Sequence, residues 1–495
     1  MGKNRKIIAR ANAGSTIGLG HLYRLVGLTE VFQHDTEIEF VLPNSNYISL
    51  IPKSYHFQVL PKEVLTKEDE LNWLHEYYEP IDHIFFLDGY DLDKNYQCKL
   101  IEKGYKVLFV DDFVQFEQQA HVVINPSLNI RPEAYKKHPR TQFGLGSKYA
   151  ALRKEFLAVA MKNDVAHPPE EIRSVFISLG GADPFNLSAK VIHALSAVAP
   201  SVSLHVLIGQ ANESPLKEEA SQGKHYFYRN LTENQMIDLM QKCDAAITSA
   251  STICYEICCV RKPLAIGWYV DNQEKLYNGF LKEELARGLG NLKDILPEDL
   301  SNQLRVFLHA DHQPALKRQV ELFDGKNQIR LRKLLKPYLK KIELRRVEQE
   351  DVQLLFQWAN DPLVRSQSLN PKPITFEEHE QWLQNKLADK NSLLFIGHQD
   401  EDAVGQIRFD QKEDHILLSY LVAEMYRGRG LGYELVARGL KALKLLVDQG
   451  EILAQVKLKN LASQKVFERL GFVKFECSDN REIIEYKISL GELSA

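Results

Sequence analysis

Cysteine is scarce. Six residues, Cys98, Cys243, Cys254, Cys258, Cys259 and Cys477, are scattered along 495 positions, and no pair of C-x-x-C elements offers zinc-ligand spacing. Cys254 and Cys258 lie one helical turn apart with no histidine nearby, so buried, reduced thiols and no metal are expected. Excess charge is also lacking. With 62 Lys and Arg against 66 Asp and Glu the net charge is −4, which gives no general attraction for nucleic acid or an anionic membrane. The basic start Met1-Gly2-Lys3-Asn4-Arg5-Lys6 leads into Ile7-Ile8-Ala9, but Arg10 ends the apolar run. That run is too short for a signal core or a bilayer span, and Lys6 stands where a myristoylation motif wants Ser or Thr; the expectation is a cytoplasmic protein. There is no repeat of solenoid period and no low-complexity tract, and no feature sets an oligomeric state.

The 44% hydrophobic and 26% charged residues are those of a globular chain, long enough for about three compact units of ~150 residues. Short apolar runs (Ile7-Ile8-Ala9, Ile38 to Leu42, Ile84 to Leu87, Val107 to Val110, Val122 to Ile124) alternate with amphipathic stretches. Runs buried on both faces and separated by helices predict a parallel α/β sheet. After a polar stretch containing Pro168-Pro169 the pattern restarts at Ser174 to Leu179 and continues through Leu204 to Ile208 and Ala245 to Thr248. The fold class predicted is α/β: two doubly wound parallel units, residues 1–165 and 166–335, followed by an α+β domain at 342–495. Ligands of such a pair lie outside the carboxyl ends of the strands.

Three loops stand at those ends. Ile17-Gly18-Leu19-Gly20-His21-Leu22-Tyr23-Arg24 follows the first strand, and His21 at a helix entrance suits a general base near neutral pH, its free pKa being ~6.5. Ser178-Leu179-Gly180-Gly181-Ala182-Asp183-Pro184-Phe185-Asn186 again joins strand to helix. Thr248-Ser249-Ala250-Ser251-Thr252 does so a third time, with Glu256 one turn into its helix. Hydroxyls and N–H groups there suit a nucleotide diphosphate, and Glu256 suits ribose hydroxyls.

The segment richest in meaning is Tyr426-Arg427-Gly428-Arg429-Gly430-Leu431-Gly432. It follows a strand candidate, His415 to Val422, and opens a helix with apolar positions at Leu435, Val436, Leu440 and Leu443. Its R-x-x-G-x-G spacing is neither a dinucleotide fingerprint nor a Walker A loop. Glycines that let backbone N–H groups approach phosphate oxygens, ahead of a helix dipole, make it a cradle for an acyl-CoA pyrophosphate.

Residues 342–488 resemble the GNAT N-acetyltransferases. The likeness runs through that loop, through Val456 to Ser463, and through Phe467-Glu468-Arg469-Leu470-Gly471-Phe472. Leu354 to Arg365 and Ile374 to Leu383 resemble the sugar-amine branch, which implies acetyl-CoA as co-substrate and a UDP-linked 4-amino sugar as acceptor. The resemblance gives Arg427, Gly428, Arg429, Gly430, Gly432, Asn460 and Ser463 to acetyl-CoA, and backbone groups near Leu421 and Val422 to its carbonyl. Asn360-Asp361 and His379-Trp382 are the acceptor candidates. Many members carry a proton-donating Tyr seven residues after the Asn; here Phe467 stands there, leaving Ser419, Tyr420, Glu424 and His415 as substitutes.

Residues 5–335 resemble the GT-B-fold UDP-2,4-diacetamido-2,4,6-trideoxy-β-L-altropyranose hydrolases of pseudaminic acid biosynthesis and the related spore-coat polysaccharide proteins. The matches include Ile17 to Arg24, Leu87-Asp88-Gly89-Tyr90, Val110-Asp111-Asp112, Leu152-Arg153-x-Glu155-Phe156, Ser178 to Asn186, Ser251-Thr252-x-x-x-Glu256 and Asp271-Asn272-Gln273. The likeness implies that His21 activates water at the anomeric carbon and that UDP leaves. Gly18, Gly20, Arg24, Tyr90, Gly180, Gly181, Asp183, Asn186, Ser251, Thr252, Glu256, Asn272 and Gln273 become the UDP-sugar contacts. Where that family has Asp in an Arg-x-Asp-x-Ser segment, this chain has Asn12, which is expected to weaken orientation of His21. A glycosyltransferase using the same cleft, or a noncatalytic CoA-binding third unit, stays open on sequence alone.

Overall fold

The computed structural model describes residues 4–12, 20–114, 116–136, 141–163, 167–180, 183–209, 224–476 and 482–492. Gly18, Gly181 and Cys477 lie outside them. The first unit is a seven-stranded sheet of β1 (Lys6–Ala11), β2 (Ile38–Leu42), β3 (His56–Val59), β4 (His83–Asp88), β5 (Lys106–Val110), β6 (Val122–Asn125) and β7 (Gln142–Leu145). Its order is β3-β2-β1-β4-β5-β6-β7, every pair parallel. Alternate residues of one run serve opposite cores. Ile84 and Phe86 pack with Leu22 and Leu25 on one face, Phe85 and Leu87 with Leu71 and Leu100 on the other.

The second unit repeats the plan with β8 (Ser174–Ser178), β9 (Ser203–Leu207), β10 (His225–Tyr228), β11 (Ala245–Ser249), β12 (Leu264–Trp268) and β13 (Arg287–Asn291), in the order β10-β9-β8-β11-β12-β13. Two helices change sides. Helix Lys154–Lys162 buries Phe156, Leu157 and Ala160 against the second sheet, whereas helix Asn327–Leu339 returns to bury Leu331, Leu335 and Leu339 in the first. A linear division near residues 165 and 335 places each of these helices with the wrong core.

The third unit holds β14 (Glu343–Arg346), β15 (Ser392–Gln399), β16 (Asp402–Gln411), β17 (Ile416–Val422), β18 (Glu451–Lys457), β19 (Val473–Glu476) and β20 (Ile483–Ser489), in the order β14-β15-β16-β17-β18-β20-β19. β17 and β18 pair, in parallel, only at Ile416–Ile452 and Leu417–Leu453. Beyond these residues the strands part, opening the sheet beside Ser419 to Val422. Helix Leu431–Lys444 covers the sheet with Leu435, Val436, Leu440 and Leu443 and turns its other face to the first unit.

That docking is built on charge. Arg5, from the start of the first unit, is buried and paired with the equally buried Glu434, which also accepts from the Ile342 amide at 2.8 Å and Arg438 Nε at 3.0 Å. Arg438 and Lys341 meet Asp82 at 3.2 and 2.9 Å. Burial alone would raise the Asp82 carboxyl, but these two cations hold it below its ordinary value. Removing one partner of a buried pair such as Arg5–Glu434 typically costs about 3–5 kcal/mol. No helix among the described residues is long and apolar enough to cross a membrane.

Candidate active sites

The sheet order of the first unit reverses between β1 and β4, and a doubly wound sheet opens a crevice at such a point. His21, on the first turn of helix Gly20–Glu30, and Asp88, at the carboxyl end of β4, both stand there. His21 Nδ1 is 2.7 Å from Asp88 Oδ1, and both side chains are buried. A carboxylate only accepts, so the ring donates from Nδ1 in this contact. Arg24 holds the dyad in place: Nε and Nη2 donate to the two Asp88 oxygens at 2.8 and 2.7 Å, and Nη1 and Nη2 to Asp112 at 2.5 and 2.9 Å. Tyr90 sets its ring edge-to-face on His21, centroids 4.4 Å apart. The recess lined by His21, Tyr90, Asp111 and Asp112 encloses about 10 Å³, near what one water needs. Asn12 does not orient His21. Its Nδ2 bonds Asp91, and the carboxylate that meets His21 is Asp88, 67 residues along the chain.

The second unit faces this crevice. Ser251, half-buried, and Thr252, exposed, open helix Ile253–Val260, and the buried Ser249 Oγ behind them has no partner. Glu256 is not a bare ribose acceptor: both oxygens take a bidentate pair from Arg153 Nε and Nη2 at 2.7 Å, at the start of the helix that packs on the second sheet. Two of its roughly four lone-pair sites stay open. Asp183 accepts from the Leu187 and Ser188 amides at 2.7 and 2.9 Å and so caps helix Leu187–Val198, with Asn186 left-handed at φ 51°. Gly180, at φ +104°, lies where a Cβ would come 2.8 Å from the Tyr269 hydroxyl. Gln273 Oε1 accepts from the Tyr269 amide, and Asn272 is exposed beside it. Lys275, one turn on, donates to the Asp112 carbonyl across the cleft.

In the third unit Gly428 (φ 75°) and Gly430 (φ 69°) take the left-handed turn that leads into helix Leu431–Lys444, and Gly432 leaves room for Tyr420. Arg427 reaches inward instead of outward, donating to the Val422 carbonyl at 3.0 Å and Asp361 at 2.7 Å. Arg429 lies over the Tyr426 ring. Asn460 caps helix Leu461–Arg469 through the Ser463 amide at 3.1 Å, and Ser463 Oγ accepts from Tyr420 at 3.1 Å. Phe467 is core, packed on Phe472 and Tyr486. Among the substitutes for its missing hydroxyl, His415 pairs with Asp414 at the opposite end of β17 and Glu424 is exposed, whereas Tyr420 stands between Gly432, Ser463 and the opened sheet. Burial pushes the Tyr420 phenol up to about 12, so it stays protonated near neutrality.

Next to Tyr420 opens a pocket of about 380 Å³, lined among others by Arg365, His379, Trp382, Gln406, Arg408, Ser419 and Leu421. His379 is buried with Nε2 unpartnered, and burial, then the Arg365 charge, lowers its pKa, so it is neutral. Arg365 donates to the Asn370 and Lys372 carbonyls and Ser368 Oγ, a neutral set, and its Nε is buried without a partner. Asn360 and Asp361 instead serve structure: Asn360 clasps both backbone groups of Ile374 at 2.9 Å, and Asp361 caps helix Pro362–Gln367.

Residues 341–473 match the acetyltransferase (GNAT) domain family model. The uncharacterized protein MJ1062 of Methanocaldococcus jannaschii is 23% identical over 98% of this chain and 100% of its own length. The spore coat polysaccharide biosynthesis protein SpsG of Bacillus subtilis is 26% identical over 66% of the chain and 96% of its own length. The acetyltransferase PseH of Campylobacter jejuni is 38% identical over 12% and 38%, respectively. The spermidine N-acetyltransferase of Vibrio cholerae, solved with CoA and spermine, is 18% identical over 31% of this chain and 97% of that one, with a TM-score of 0.28. The chain thus joins a GT-B-like region similar to a spore coat polysaccharide biosynthesis protein to a segment, residues 341–473, that matches the GNAT acetyltransferase domain.

Proposed function

We propose that the third unit acetylates the amine of a UDP-linked 4-amino sugar and that the first two units release UDP from the diacetamido product. The observation carrying the first half is the pocket that sets neutral His379 and the uncompensated Arg365 beside the opened β17. His379 takes the proton from the attacking amine, Arg365 holds an anionic part of the acceptor, and an N–H near Leu421 or Val422 polarises the thioester carbonyl. Tyr420 donates to the leaving sulfur.

For the second half, His21 Nε2 takes a proton from water as the water oxygen bonds the anomeric carbon, and the bond from that carbon to the diphosphate oxygen breaks. Ser251, Thr252, Glu256 and the turn at Gly180 hold the departing UDP, with Asn272 and Gln273 at the sugar end. The names of the relatives, one in spore coat polysaccharide biosynthesis and one an acetyltransferase, support this pairing of steps. The test is incubation of the chain with a UDP-4-amino sugar, with and without acetyl-CoA, resolving the products by mass. Acetylated UDP-sugar, free sugar and UDP are expected together only when acetyl-CoA is present; UDP release that demands a second sugar as acceptor would replace hydrolysis by glycosyl transfer.

A further inference from the structure

Lys106 opens β5 of the first unit, yet its ammonium ends in the third. The side chain is buried, and Nζ donates to the Arg429 carbonyl at 2.5 Å. A Cβ on Gly430 would lie 2.3 Å from that nitrogen, so at this point the loop and the lysine are fitted to one another. Two residues earlier, Gly104 turns at φ +107°, and a Cβ there would strike the ring of Tyr433. The first unit thus carries a shaped seat for residues 429–433, fastened further along the same helix by Arg5–Glu434 and Arg438–Asp82.

The peptide joining Arg429 to Gly430 is trans, like every other described here, so its N–H points away from its C=O. An ammonium that fixes the carbonyl therefore fixes the direction of the Gly430 N–H on the far side. Gly430 is the N-cap of helix Leu431–Lys444 and, having no side chain, offers no cap to the first-turn amides. Its N–H stands among the first-turn donors that the helix itself leaves open.

We infer that Lys106 of the hydrolase-like unit is a positioning residue for the acetyl-CoA site of the acetyltransferase unit, aiming the Gly430 N–H at the pyrophosphate. The inference rests on reading residues 427–432 as the pyrophosphate loop. Lys106 does not touch the ligand; it sets the peptide that does. By linkage, acetyl-CoA tightens the docking of the two units by the same factor that docking tightens acetyl-CoA.

The test uses the full chain. Calorimetric titration of acetyl-CoA into wild type, Lys106→Met, Lys106→Arg and Lys441→Ala is paired with titration of UDP into each as a check on the fold. Lys441 meets Glu79 at 3.6 Å in the same interface but away from the loop, so it reports general loosening. Lys106→Met is expected to weaken acetyl-CoA binding about tenfold or more, as loss of an aligned charge-assisted hydrogen bond would. UDP affinity and the acetyl-transfer kcat at saturation should be unchanged, with partial rescue by Lys106→Arg and no effect of Lys441→Ala. Equal acetyl-CoA affinity in wild type and Lys106→Met, or an equal loss in Lys441→Ala, overturns the inference. Should Lys106→Met not fold, the Gly430 amide of wild type decides the matter: it must shift and gain exchange protection on CoA binding, and an unmoved amide overturns the inference. Wild type that binds no acetyl-CoA removes the loop reading itself, a result distinct from a silent Lys106.

Discussion

The crevice at His21 and the pocket at His379 hold the same side chain in opposite states of completion. Around His21 the charged groups are paired: Asp88 accepts the ring N–H, Arg24 grips Asp88 and Asp112, and the recess has room for about one water. Around His379 the pocket is wide, the His379 Nε2 and the Arg365 Nε are buried without partners, and the other Arg365 donors go only to neutral groups. Unanswered buried polar atoms cost stability unless a ligand answers them. On the proposed function, the first site would serve an attacking water and the second a ligand that brings its own charge.

The sharpest way to break this comparison is to remove the finished partner. Asp88→Asn should lower UDP release by ~1,000- to 10,000-fold, because an amide holds the wrong imidazole tautomer, while acetyl transfer continues. His21→Ala should lose ~100- to 10,000-fold by removing the base itself. Undiminished release from either folded variant, followed as UDP formed per minute, would leave the dyad as a structural pair.

On the other side, His379→Ala should slow acetyl transfer by ~100-fold or more, with hydrolysis of preacetylated substrate untouched. If the amine-acetylated product accumulates at the wild-type rate, the proton leaves by another route. A smaller effect is expected at the nucleotide. Glu256→Gln should weaken UDP binding by about 1.5–3 kcal/mol where a charge-assisted bond to ribose is lost. Because Arg153 shares that carboxylate, Arg153→Met separates the roles: an equal loss of UDP affinity, by calorimetry, assigns Glu256 to its pair with Arg153 instead of to ribose. Smallest of all, Tyr420→Phe should reduce the acetyl-transfer kcat about tenfold through a lost donor to sulfur. Phe467→Tyr should not compensate, since position 467 is buried against Tyr486 and Phe472.

Local pattern was enough for the α/β fold class with a GNAT-like end, for the glycine turn at 428–432 and for His21 on the first turn of a helix. Periodicity and punctuation are properties of neighbouring residues, and these features are local. Asp88 stands within a segment that carries the family resemblance, but nothing among its neighbours in sequence marks it as the partner of His21. The signal lay in a buried run, Ile84 to Leu87, that ends in a charge at the strand's carboxyl end; its meaning needs β4 to lie beside β1, a nonlocal pairing. The Arg153–Glu256 pair, the exchange of helices between cores and the seat of Lys106 under Arg429 are invisible for the same reason. Asn360 and Asp361 show the reverse error, since their spacing fits an acceptor contact but their atoms are engaged in a turn and a cap.

Helix Asn327–Leu339 leaves the second unit, lies along the first, and delivers the chain to Lys340, whose carbonyl accepts from both Arg5 and Gln399. The acetyltransferase is therefore mounted on the first unit, and each contact described for helix Leu431–Lys444 outside its own unit returns there. If the nucleotide cleft opens and shuts, the moving part is the second unit alone, a jaw working against a frame made of the first and third. Under the proposed pairing of steps, the acetyl-transfer pocket and one wall of the cleft belong to a single body, so the two sites share one coordinate system however far the jaw swings.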